Sequence, residues 1–499
     1  MKAVPFSQLY VWRPVFARRA PLFTVVLALS AGLGLRLWLL KRFFLVNGDQ
    51  LVYGGIAKNL LLHGRYALTG SSGQIASTLI RLPGYPLFLA LCFRLFGMEN
   101  YAAAAWIQIV LELAGCLLLA DFVRRIASAG AAHWTLWLAV LCPFTAIYTA
   151  VQLTESLTLF AIALALWSAA RFRARPGWGP ALAFTFAVTY AALLRPDGAL
   201  VALALAPALL FGRECSEEKA ANSRGKLARM ALVCLLLALT PFAAWSWRNW
   251  QVFHVFQPLA PRYANDPGQT TYPGWQRWVK TWSLDFVSTY NVYWPVPGAP
   301  LDLHKLPSRA FDSPAQYAET AALAGEYNDR DEAKDILPDV DDGFARLAAE
   351  RINAHPLRYY LWLPLGRVAD MWLRPRIENL NIDTDWWVYK NHNAETVFSW
   401  ACALLNAIYL LLGLGGLWLR PRFSTPRTKT CPCGPRFWRP MLAYFLLRSI
   451  LLATLESPEA RYTLECFPML FALGGIALYR FTNVVCLSVL KVKASAGNG

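Results

Sequence analysis

Long uninterrupted apolar segments constrain this chain more strongly than any other feature of its sequence. Residues 21–40 contain a single charged side chain, Arg36, and residues 199–211 contain none. A helix of about 20 apolar residues crosses a bilayer, and only helices and closed barrels satisfy their backbone hydrogen bonds there. Because the apolar residues run continuously instead of alternating, they favour helices over barrel strands. The sequence therefore predicts an all-α polytopic membrane protein.

The net charge of +17 has a topological meaning in such a chain. In a soluble protein it would raise the question of nucleic-acid binding, but here the basic residues cluster in short segments between the apolar blocks. Arg and Lys near the ends of spans are typical of cytoplasmic loops. We therefore expect contact with membrane lipids and no nucleic-acid partner. The basic segment before the first block indicates an uncleaved anchor whose N-terminal side faces the cytoplasm.

The basic segments predict about ten transmembrane helices, with both chain ends on the cytoplasmic side. The predicted spans are 22–41, 101–123, 134–152, 155–172, 180–195, 198–212, 228–248, 395–419, 440–456 and 463–482. Two further apolar segments, 85–97 and 357–376, would invert every later loop if they crossed the membrane. We expect both to form juxtamembrane helices that lie at the outer surface.

The segment 249–394 is predicted to form a mixed extracytoplasmic domain. Residues 255–357 contain 14 Asp or Glu and 9 Lys or Arg, a net charge of −5, which leaves +22 for the rest of the chain. A helical run is expected at 314–354, with Ser313 as its N-cap and Pro314 in its first turn. The chain should therefore have three parts: a transmembrane module 1–248 with a first outer loop 42–100, the domain 249–394, and C-terminal helices with a cytoplasmic tail at 395–499.

Polar residues that suit sugar transfer all fall on the predicted outer side. They lie at span ends or in outer loops: Asp49, Glu155, Arg195, Asp197, Glu459, Arg461 and Tyr462. Random placement would scatter such residues over both faces. Glycosyl transfer needs a base that takes the acceptor's proton and cations that hold the leaving phosphate. We therefore expect a catalytic site on this side of the membrane.

Asp49 follows the first span and precedes a segment with apolar residues at 52, 56, 60 and 61. Such a segment should form a helix along the membrane surface, so the carboxylate would lie where a membrane-bound substrate meets an acceptor from water. We predict that Asp49 is catalytic. The alternative is that it only caps a helix over 50–62.

The other candidates also have purely structural alternatives. A carboxylate near the bilayer is energetically costly and is usually functional, so we predict that Glu155 is catalytic. The alternative is that Glu155 only caps the start of a helix. Arg195 is predicted to bind substrate, or else to belong to a tight turn between two spans. Glu459, Arg461 and Tyr462 offer a carboxylate, a guanidinium and a phenol for substrate binding, or form an ordinary polar loop.

Three basic residues share the first outer loop with Asp49, namely Lys58, Arg65 and Arg81. Each could hold a phosphate, and each could instead extend to lipid headgroups. We assign Lys58 and Arg81 to substrate binding. Arg81 is favoured because it lies beside the rigid Pro-containing turn at 83–86 and because a guanidinium matches the geometry of phosphate.

Several sequence segments resemble GT-C-fold glycosyltransferases, which include protein O-mannosyltransferases and bacterial aminoarabinose lipid A transferases. The segments occur in the order GDQLVYGGIAKNLLLHGRY, LPGYPLFLALCFRLFG, FVRRI, CPFTAIYTAVQLTESL, LLRPDGAL and ESPEARYTLECFPMLFALGG. The resemblance covers residues 1–250 and 395–482, and the segment 249–394 has no counterpart in it.

The resemblance implies roles for individual residues. Asp49 would be the first-loop acid that acts as base or orients the acceptor, and Glu155 would be the carboxylate of the second outer loop. Arg461 and Tyr462 would lie near the phosphate of the lipid carrier. Several relatives have two adjacent acids in the first loop, whereas here Gln50 follows Asp49. Since some relatives use a divalent metal and others do not, we assign no metal and leave the cofactor unknown.

These observations predict a glycosyltransferase of the bacterial inner membrane with an extracytoplasmic active site. No cytoplasmic loop is long enough to form a nucleotide-sugar domain, so the donor should be a polyprenyl-phosphate-linked sugar. The acceptor would be a hydroxyl of a lipid, glycan or protein, and aromatic side chains at 270–295 could stack on sugar or acceptor. The rival hypothesis is a polyisoprenoid-lipid transporter or flippase, which should instead carry ionisable residues at mid-membrane on several helices.

The predicted topology can be tested by labelling single cysteines in a variant that lacks the ten native ones. We expect Ser72→Cys and Asp302→Cys to react with a membrane-impermeant maleimide in intact cells. Ala174→Cys, beside a basic segment, should react only after permeabilisation. Labelling of Ala174→Cys from outside would contradict the predicted orientation.

Overall fold

The computed structural model describes residues 20–210, 220–329, 335–380, 382–383, 386–390, 392–419 and 437–496. The basic N-terminal segment lies outside the described residues. So does most of the basic linker predicted at 420–439, which includes Cys431 and Cys433.

Helices dominate the structure. The first half contains α1 (Ala20–Phe43), α2 (Asp49–His63), α3 (Gly84–Phe96), α4 (Tyr101–Ile126), α5 (Ala129–Val140), α6 (Pro143–Ala146), α7 (Glu155–Ala174), α8 (Trp178–Leu194), α9 (Ala199–Leu210) and α10 (Ala220–Phe253). The second half contains α11 (Pro273–Lys280), α12 (Phe286–Ser288), α13 (Pro314–Asn328), α14 (Pro338–Ala354), α15 (Leu363–Leu373), α16 (Asn393–Trp418), α17 (Trp438–Ala453) and α18 (Phe467–Ala496). Two short strands, β1 (Ala67–Thr69) and β2 (Ile75–Ser77), pair antiparallel with Leu68 opposite Ala76.

Several of these helices can cross a membrane. Among the described residues, six are long and apolar enough, namely α1, α4, α7, α10, α16 and α18. The bent pair α5–α6 makes a seventh if it is counted as one span. The predicted spans 180–195, 198–212 and 440–456 correspond to the shorter helices α8, α9 and α17. The prediction of an all-α multi-pass membrane protein is therefore confirmed, whereas the predicted number of ten spans is not.

The span predicted at 134–152 is not a continuous helix. α5 ends at Val140, α6 begins at Pro143, and a 3₁₀ turn follows at Ile147–Thr149. The axis bends by 51° at the break. Pro143 explains the break because a proline has no backbone N–H and disfavours helical geometry in the residue before it.

The membrane helices pack closely through small residues. The largest apolar core joins side chains of α4, α5, α7 and α18. A Cβ atom added at Gly475 of α18 would lie 2.6 Å from the backbone nitrogen of Thr135 in α5. Small residues let transmembrane backbones approach in this way, so α5 and α18 form a rigid base for the segments that extend from their ends.

The segment between α1 and α4 is folded back on itself. Asn59 of α2 donates a hydrogen bond to the carbonyl of Ala67 at 3.0 Å, which ties the hairpin to the helix. The hairpin leads into α3, which has thirteen residues and is about 20 Å long at 1.5 Å per residue. The helical form predicted for 85–97 is thus present, and the hairpin places Arg81 beside the start of α2.

Residues 273–354 have an apolar core of their own. Trp275, Trp278 and Trp282 are fully buried in it and pack with α14. They cannot stack on a sugar, so the expectation for aromatics at 270–295 is wrong for these three. The predicted helical run at 314–354 is present as α13 and α14, and Ser313 caps α13 by accepting a hydrogen bond from the Gln316 backbone N–H.

Replacing a core tryptophan should destabilise this unit. We expect Trp278→Ala to lower the free energy of unfolding by about 3–5 kcal/mol, the usual effect of truncating a buried aromatic side chain. Chemical unfolding in detergent micelles measures it. Trp294→Ala is the control, because Trp294 is exposed and its loss should cost much less; equal stability of the wild type and Trp278→Ala would contradict the assignment.

Candidate active site

Asp49 and Arg81 form an ion pair at the start of α2. The residue before the helix, Gly48, occupies the N-cap position, and no side chain caps the helix. Asp49 Oδ1 instead accepts a hydrogen bond from Arg81 Nη2 at 2.6 Å. The alternative in which Asp49 only caps α2 is therefore wrong, since its carboxylate points to the neighbouring loop.

Tyr53 completes the surroundings of this pair. It lies one turn after Asp49 on α2, and its ring centroid is 5.7 Å from the guanidinium of Arg81. Burial opposes the positive charge of Arg81, but the charge and hydrogen bond of Asp49 outweigh that effect and raise the pKa of Arg81 above its usual value. Arg81 Nε is buried and has no hydrogen-bond partner among the described residues. The Nε–H group of Arg81 therefore has no acceptor among the described side chains.

Arg195 connects three carboxylates. Its guanidinium contacts Glu155 Oε1 at 3.2 Å, Asp197 Oδ1 at 3.3 Å and Glu465 Oε1 at 3.0 Å. Glu155 is the first residue of α7, and Arg195 precedes a 3₁₀ turn at Pro196–Gly198. The alternative of a tight turn at Arg195 is correct for the backbone. The same turn also directs the Arg195 side chain toward the three carboxylates.

Arg448 is a member of this cluster that the sequence analysis missed. Its side chain is 0% exposed, and its Nη1 atom lies 2.6 Å from Asp197 Oδ2 and 2.8 Å from Glu465 Oε2. Nε and Nη2 donate to the carbonyl of Tyr462 at 2.9 and 2.7 Å. An isolated arginine within an apolar helix is expensive and usually functional, and this signal in LLRSILLA could have identified it.

The residues before α18 fold as a 3₁₀ helix, Ala460–Cys466. Arg461 Nε lies 2.5 Å from Glu459 Oε2, and its Nη1 atom is 3.9 Å from Glu155 Oε1. The hydroxyl of Tyr462 donates to Glu459 Oε1, and Arg195 lies over the Tyr462 ring at 5.2 Å. The alternative of an ordinary polar loop is therefore wrong for these residues.

The Asp49–Arg81 pair and the cluster around Arg195 both influence the phenol of Tyr53. Burial raises the pKa of Tyr53, and the same phenol interacts electrostatically with Arg81, Asp49, Glu155 and Arg195. Arg81 in turn is repelled by the positive charge of Arg461. We call the combined set the charged network: Asp49, Arg81, Glu155, Arg195, Asp197, Arg448, Glu459, Arg461, Tyr462 and Glu465.

Lys58 lies outside the charged network. Its ammonium group pairs with Glu99 at 2.9 Å, and both side chains are exposed. Lys58 follows Asp49 by nine residues on α2, which is half a turn out of phase at 100° per residue. The two side chains therefore point to opposite sides of the helix.

A small cleft opens beside Arg461. It is narrow, and its lining includes Tyr148, Arg461, Arg376, Glu378 and Asn379. The last three belong to the segment between α15 and α16, which the sequence analysis did not connect with the site. Arg376 is buried, and the hydrogen bonds that it donates go to neutral oxygens of Asn406, Ala460, Met371 and Thr463.

One group of side chains could hold a metal ion, but it lies outside the charged network. Asp383, His392 and Glu395 bring one ligand atom each within 4.8 Å of the others. Asp383 is exposed, and Glu395 also accepts a hydrogen bond from the Asp383 backbone N–H at 3.3 Å. Such a bond is an ordinary way of fixing the loop before a helix, so we assign no metal to this group.

Part of the sequence and the fold are similar to known proteins. A family model described as dolichyl-phosphate-mannose-protein mannosyltransferase matches residues 81–248. An Archaeoglobus fulgidus oligosaccharyltransferase tethered to an acceptor peptide has a similar fold, with a TM-score of 0.50 and 13% identity over 95% of this chain and 51% of that chain. The same archaeal enzyme in complex with an inhibitory peptide and a dolichol-phosphate has a TM-score of 0.50 and 12% identity over 96% of this chain and 52% of that chain.

A third structure, ArnT from Cupriavidus metallidurans bound to undecaprenyl phosphate, gives a TM-score of 0.39 and 16% identity over 91% of this chain and 78% of that chain. No curated protein matches significantly in sequence. The chain spans about half the length of the archaeal oligosaccharyltransferase. The resemblance to GT-C-fold glycosyltransferases is confirmed.

The central arginine of the charged network should be essential for stability. Arg448→Met leaves Arg195 as the remaining cation for the two buried carboxylates Asp197 and Glu465, and breaking a buried pair in this way costs about 3–5 kcal/mol. Thermal unfolding in detergent measures the loss. Arg124→Met removes an exposed ion pair with Asp121 and should cost about 0–1 kcal/mol; equal effects of the two substitutions would contradict the proposed importance of Arg448.

Proposed function

We propose that this chain is a glycosyltransferase that moves a sugar from a polyprenyl-phosphate donor to a hydroxyl acceptor at the outer face of the membrane. The observation that supports it most directly concerns Arg81 and Arg461. Both side chains are 23% exposed, and each lies beside a carboxylate, Arg81 Nη2 at 2.6 Å from Asp49 Oδ1 and Arg461 Nε at 2.5 Å from Glu459 Oε2. An anion bound between two such cations relieves their repulsion, and a phosphate suits the fork of an arginine.

The other arginines of the charged network are less suited than Arg81 and Arg461 to bind the donor phosphate. Arg448 is completely buried and occupied by Asp197, Glu465 and a carbonyl. Arg195 already contacts three carboxylates. Arg376 borders the cleft beside Arg461 and adds positive charge there, since its hydrogen bonds go to neutral oxygens. The donor phosphate is therefore assigned to the side of the site between Arg81 and Arg461.

Asp49 is assigned as the base. Its side chain is 41% exposed, whereas the carboxylates of Glu155, Glu459 and Glu465 are buried. In the proposed reaction Asp49 takes the proton of the acceptor hydroxyl, whose oxygen forms a bond to the anomeric carbon. The bond from that carbon to the phosphate oxygen breaks, and the polyprenyl phosphate leaves with the electron pair. Arg81 and Arg461 stabilise the negative charge that builds up on it.

Glu155 supports this reaction by holding the cations. It lies between Arg195 at 3.2 Å and Arg461 at 3.9 Å, and it is buried at the start of α7. A carboxylate in this position orients Arg461 toward the cleft without contacting an acceptor from water. We therefore assign Glu155, Arg195, Glu459 and Tyr462 to the positioning of the phosphate site.

The comparisons support the donor class. The matched family model is named for a dolichyl-phosphate-linked sugar, and one structure of similar fold contains a dolichol-phosphate. Undecaprenyl phosphate is the equivalent carrier proposed for a chain in the bacterial inner membrane. The lipid, glycan or protein that accepts the sugar is the part of the proposal that these comparisons leave open.

One observation favours the rival function of a polyisoprenoid-lipid transporter. Arg36 and Glu112 form an ion pair inside the spans α1 and α4, where a transporter should carry ionisable groups. The two side chains neutralise each other, however, and Arg448 within α17 is likewise paired with Asp197 and Glu465, while most of the other charged groups lie at helix ends or in loops. A transporter would move lipid across the membrane without breaking the bond between sugar and phosphate, and the following experiment separates the two functions.

Asp49→Asn should abolish transfer while the protein still folds. With a radiolabelled undecaprenyl-phosphate sugar and an envelope fraction as acceptor, we expect transfer to fall at least about 100-fold, the lower range for losing a general base. Glu99→Gln, whose partner Lys58 is outside the charged network, is the control and should keep full activity. Full transfer by Asp49→Asn would remove Asp49 from the mechanism, and lipid movement without transfer by the wild type would favour the transporter.

A further inference from the structure

Arg36 and Glu112 form an ion pair between α1 and α4 to which the reaction assigns no role. The guanidinium is 0% exposed and the carboxylate 5%. Taking two charges out of water costs more than their attraction often returns. A pair of this kind is therefore expected to have a function other than stability.

The pair lies beside the break between α5 and α6. Arg36 Nη1 donates to the carbonyl of Val140 at 2.8 Å and to that of Gly32 at 2.8 Å. Val140 is the last residue of α5, so its carbonyl has lost its partner in the helix. Thr145, which lies beyond the break, lines the same small cavity as Glu112, and its hydroxyl donates to the carbonyl of Cys142 at 3.4 Å.

α1 approaches the break closely enough for this contact because position 32 is a glycine. A Cβ atom at Gly32 would lie 2.8 Å from Val140 Cβ and 3.2 Å from the Val140 carbonyl oxygen. Any side chain there would push α1 away. The short distance between Arg36 and Val140 thus depends on a local feature of the sequence.

The segment beyond the break is held by the next residue along the same face of α4. Gln108, one turn before Glu112, donates from Nε2 to the carbonyls of Thr149 and Val151 at 3.2 and 3.1 Å. Tyr148, which lies between the anchored residues Val140 and Thr149, lines the cleft beside Arg461. The segment then leads directly into Glu155.

We propose that Arg36 and Glu112 are positioning residues that fix the 51° break and thereby place Tyr148 and Glu155 in the active site. The guanidinium holds the end of α5, and the carboxylate holds the guanidinium in place from α4. Neither residue touches the cleft, so their effect passes through the backbone of residues 140–155. The effect on ligand binding rests on the proposed function, whereas the effect on the break does not.

The variant Arg36→Met/Glu112→Met removes both charges together and keeps two long apolar side chains. Since replacing a complete buried pair by apolar residues is often neutral for stability, we expect a melting temperature close to that of the wild type. Amide hydrogen exchange of residues 141–153 in lipid nanodiscs should be faster by about tenfold, the equivalent of one buried hydrogen bond. The Kd for undecaprenyl phosphate should rise severalfold without loss of binding sites.

Asp121→Asn is the matched control, because it removes ion pairs at the other end of α4 and should change neither the exchange of 141–153 nor the Kd. A merely structural pair would lower the melting temperature and the fraction of binding-competent protein, while the Kd and local exchange of the folded fraction would stay unchanged. That result, or unchanged exchange in a stable double variant, would overturn the proposal.

Two further outcomes are informative. If the double variant does not fold, Gly32→Ala tests the same point, because its Cβ atom would lie 2.8 Å from Val140 Cβ and would push α1, with Arg36, away from the break; we expect faster exchange at 141–153, and unchanged exchange would overturn the proposal. If the wild type binds no undecaprenyl phosphate, the proposed function fails. Faster exchange in the variant would still support the role of the pair at the break.

Discussion

The structure depends on charges that are buried only because they neutralise one another. Arg195 and Arg448 share Asp197 and Glu465, and Arg195 and Arg461 share Glu155. Any one of these groups alone would be too costly at the edge of a bilayer. The shared contacts join the ends of α7, α8, α17 and α18 at a single point, so the same interactions that hold the helices also shape the proposed phosphate site.

Irregular backbone brings the charged groups together. Arg195, Asp197, Arg461 and Glu465 lie on 3₁₀ turns or directly beside them, and Glu155 follows the broken span. Polar backbone at this depth is tolerated where other groups satisfy it, as Gln108 and Arg36 do for the segment after α5. The segment between α15 and α16 contributes in the same way, since Arg376 donates to the carbonyl of Ala460.

Most of the candidate site could be predicted from the sequence because its residues stand at the ends of apolar segments. Glu155, Arg195, Glu459, Arg461 and Tyr462 contact one another, and Asp49 pairs with Arg81; that they act as one site on the outer face stays a prediction. Lys58 joins neither group, because helical phase on α2 turns it away. Arg448 and Glu465 were missed because they lie within apolar stretches, and Arg376 because its contacts are with Asn406 and Thr463, which are distant in sequence.

The bend in α5–α6 and the number of spans could not be derived from hydropathy alone. Hydropathy averages over a segment, whereas one proline and one glycine, Pro143 and Gly32, decide where the helix breaks and how closely α1 approaches it. The buried tryptophans Trp275, Trp278 and Trp282 illustrate the same point. The sequence shows that a side chain is aromatic but not whether it faces the core or the solvent.

The central claim is that Arg81 and Arg461 hold the phosphate of a lipid carrier beside Asp49. An electron cryomicroscopy structure of the protein in nanodiscs with added undecaprenyl phosphate tests it most directly. The account predicts phosphate oxygens within about 3 Å of both guanidinium groups, the distance of charge-assisted hydrogen bonds. A headgroup bound elsewhere, with Arg81 and Arg461 still facing only their carboxylates, would contradict it.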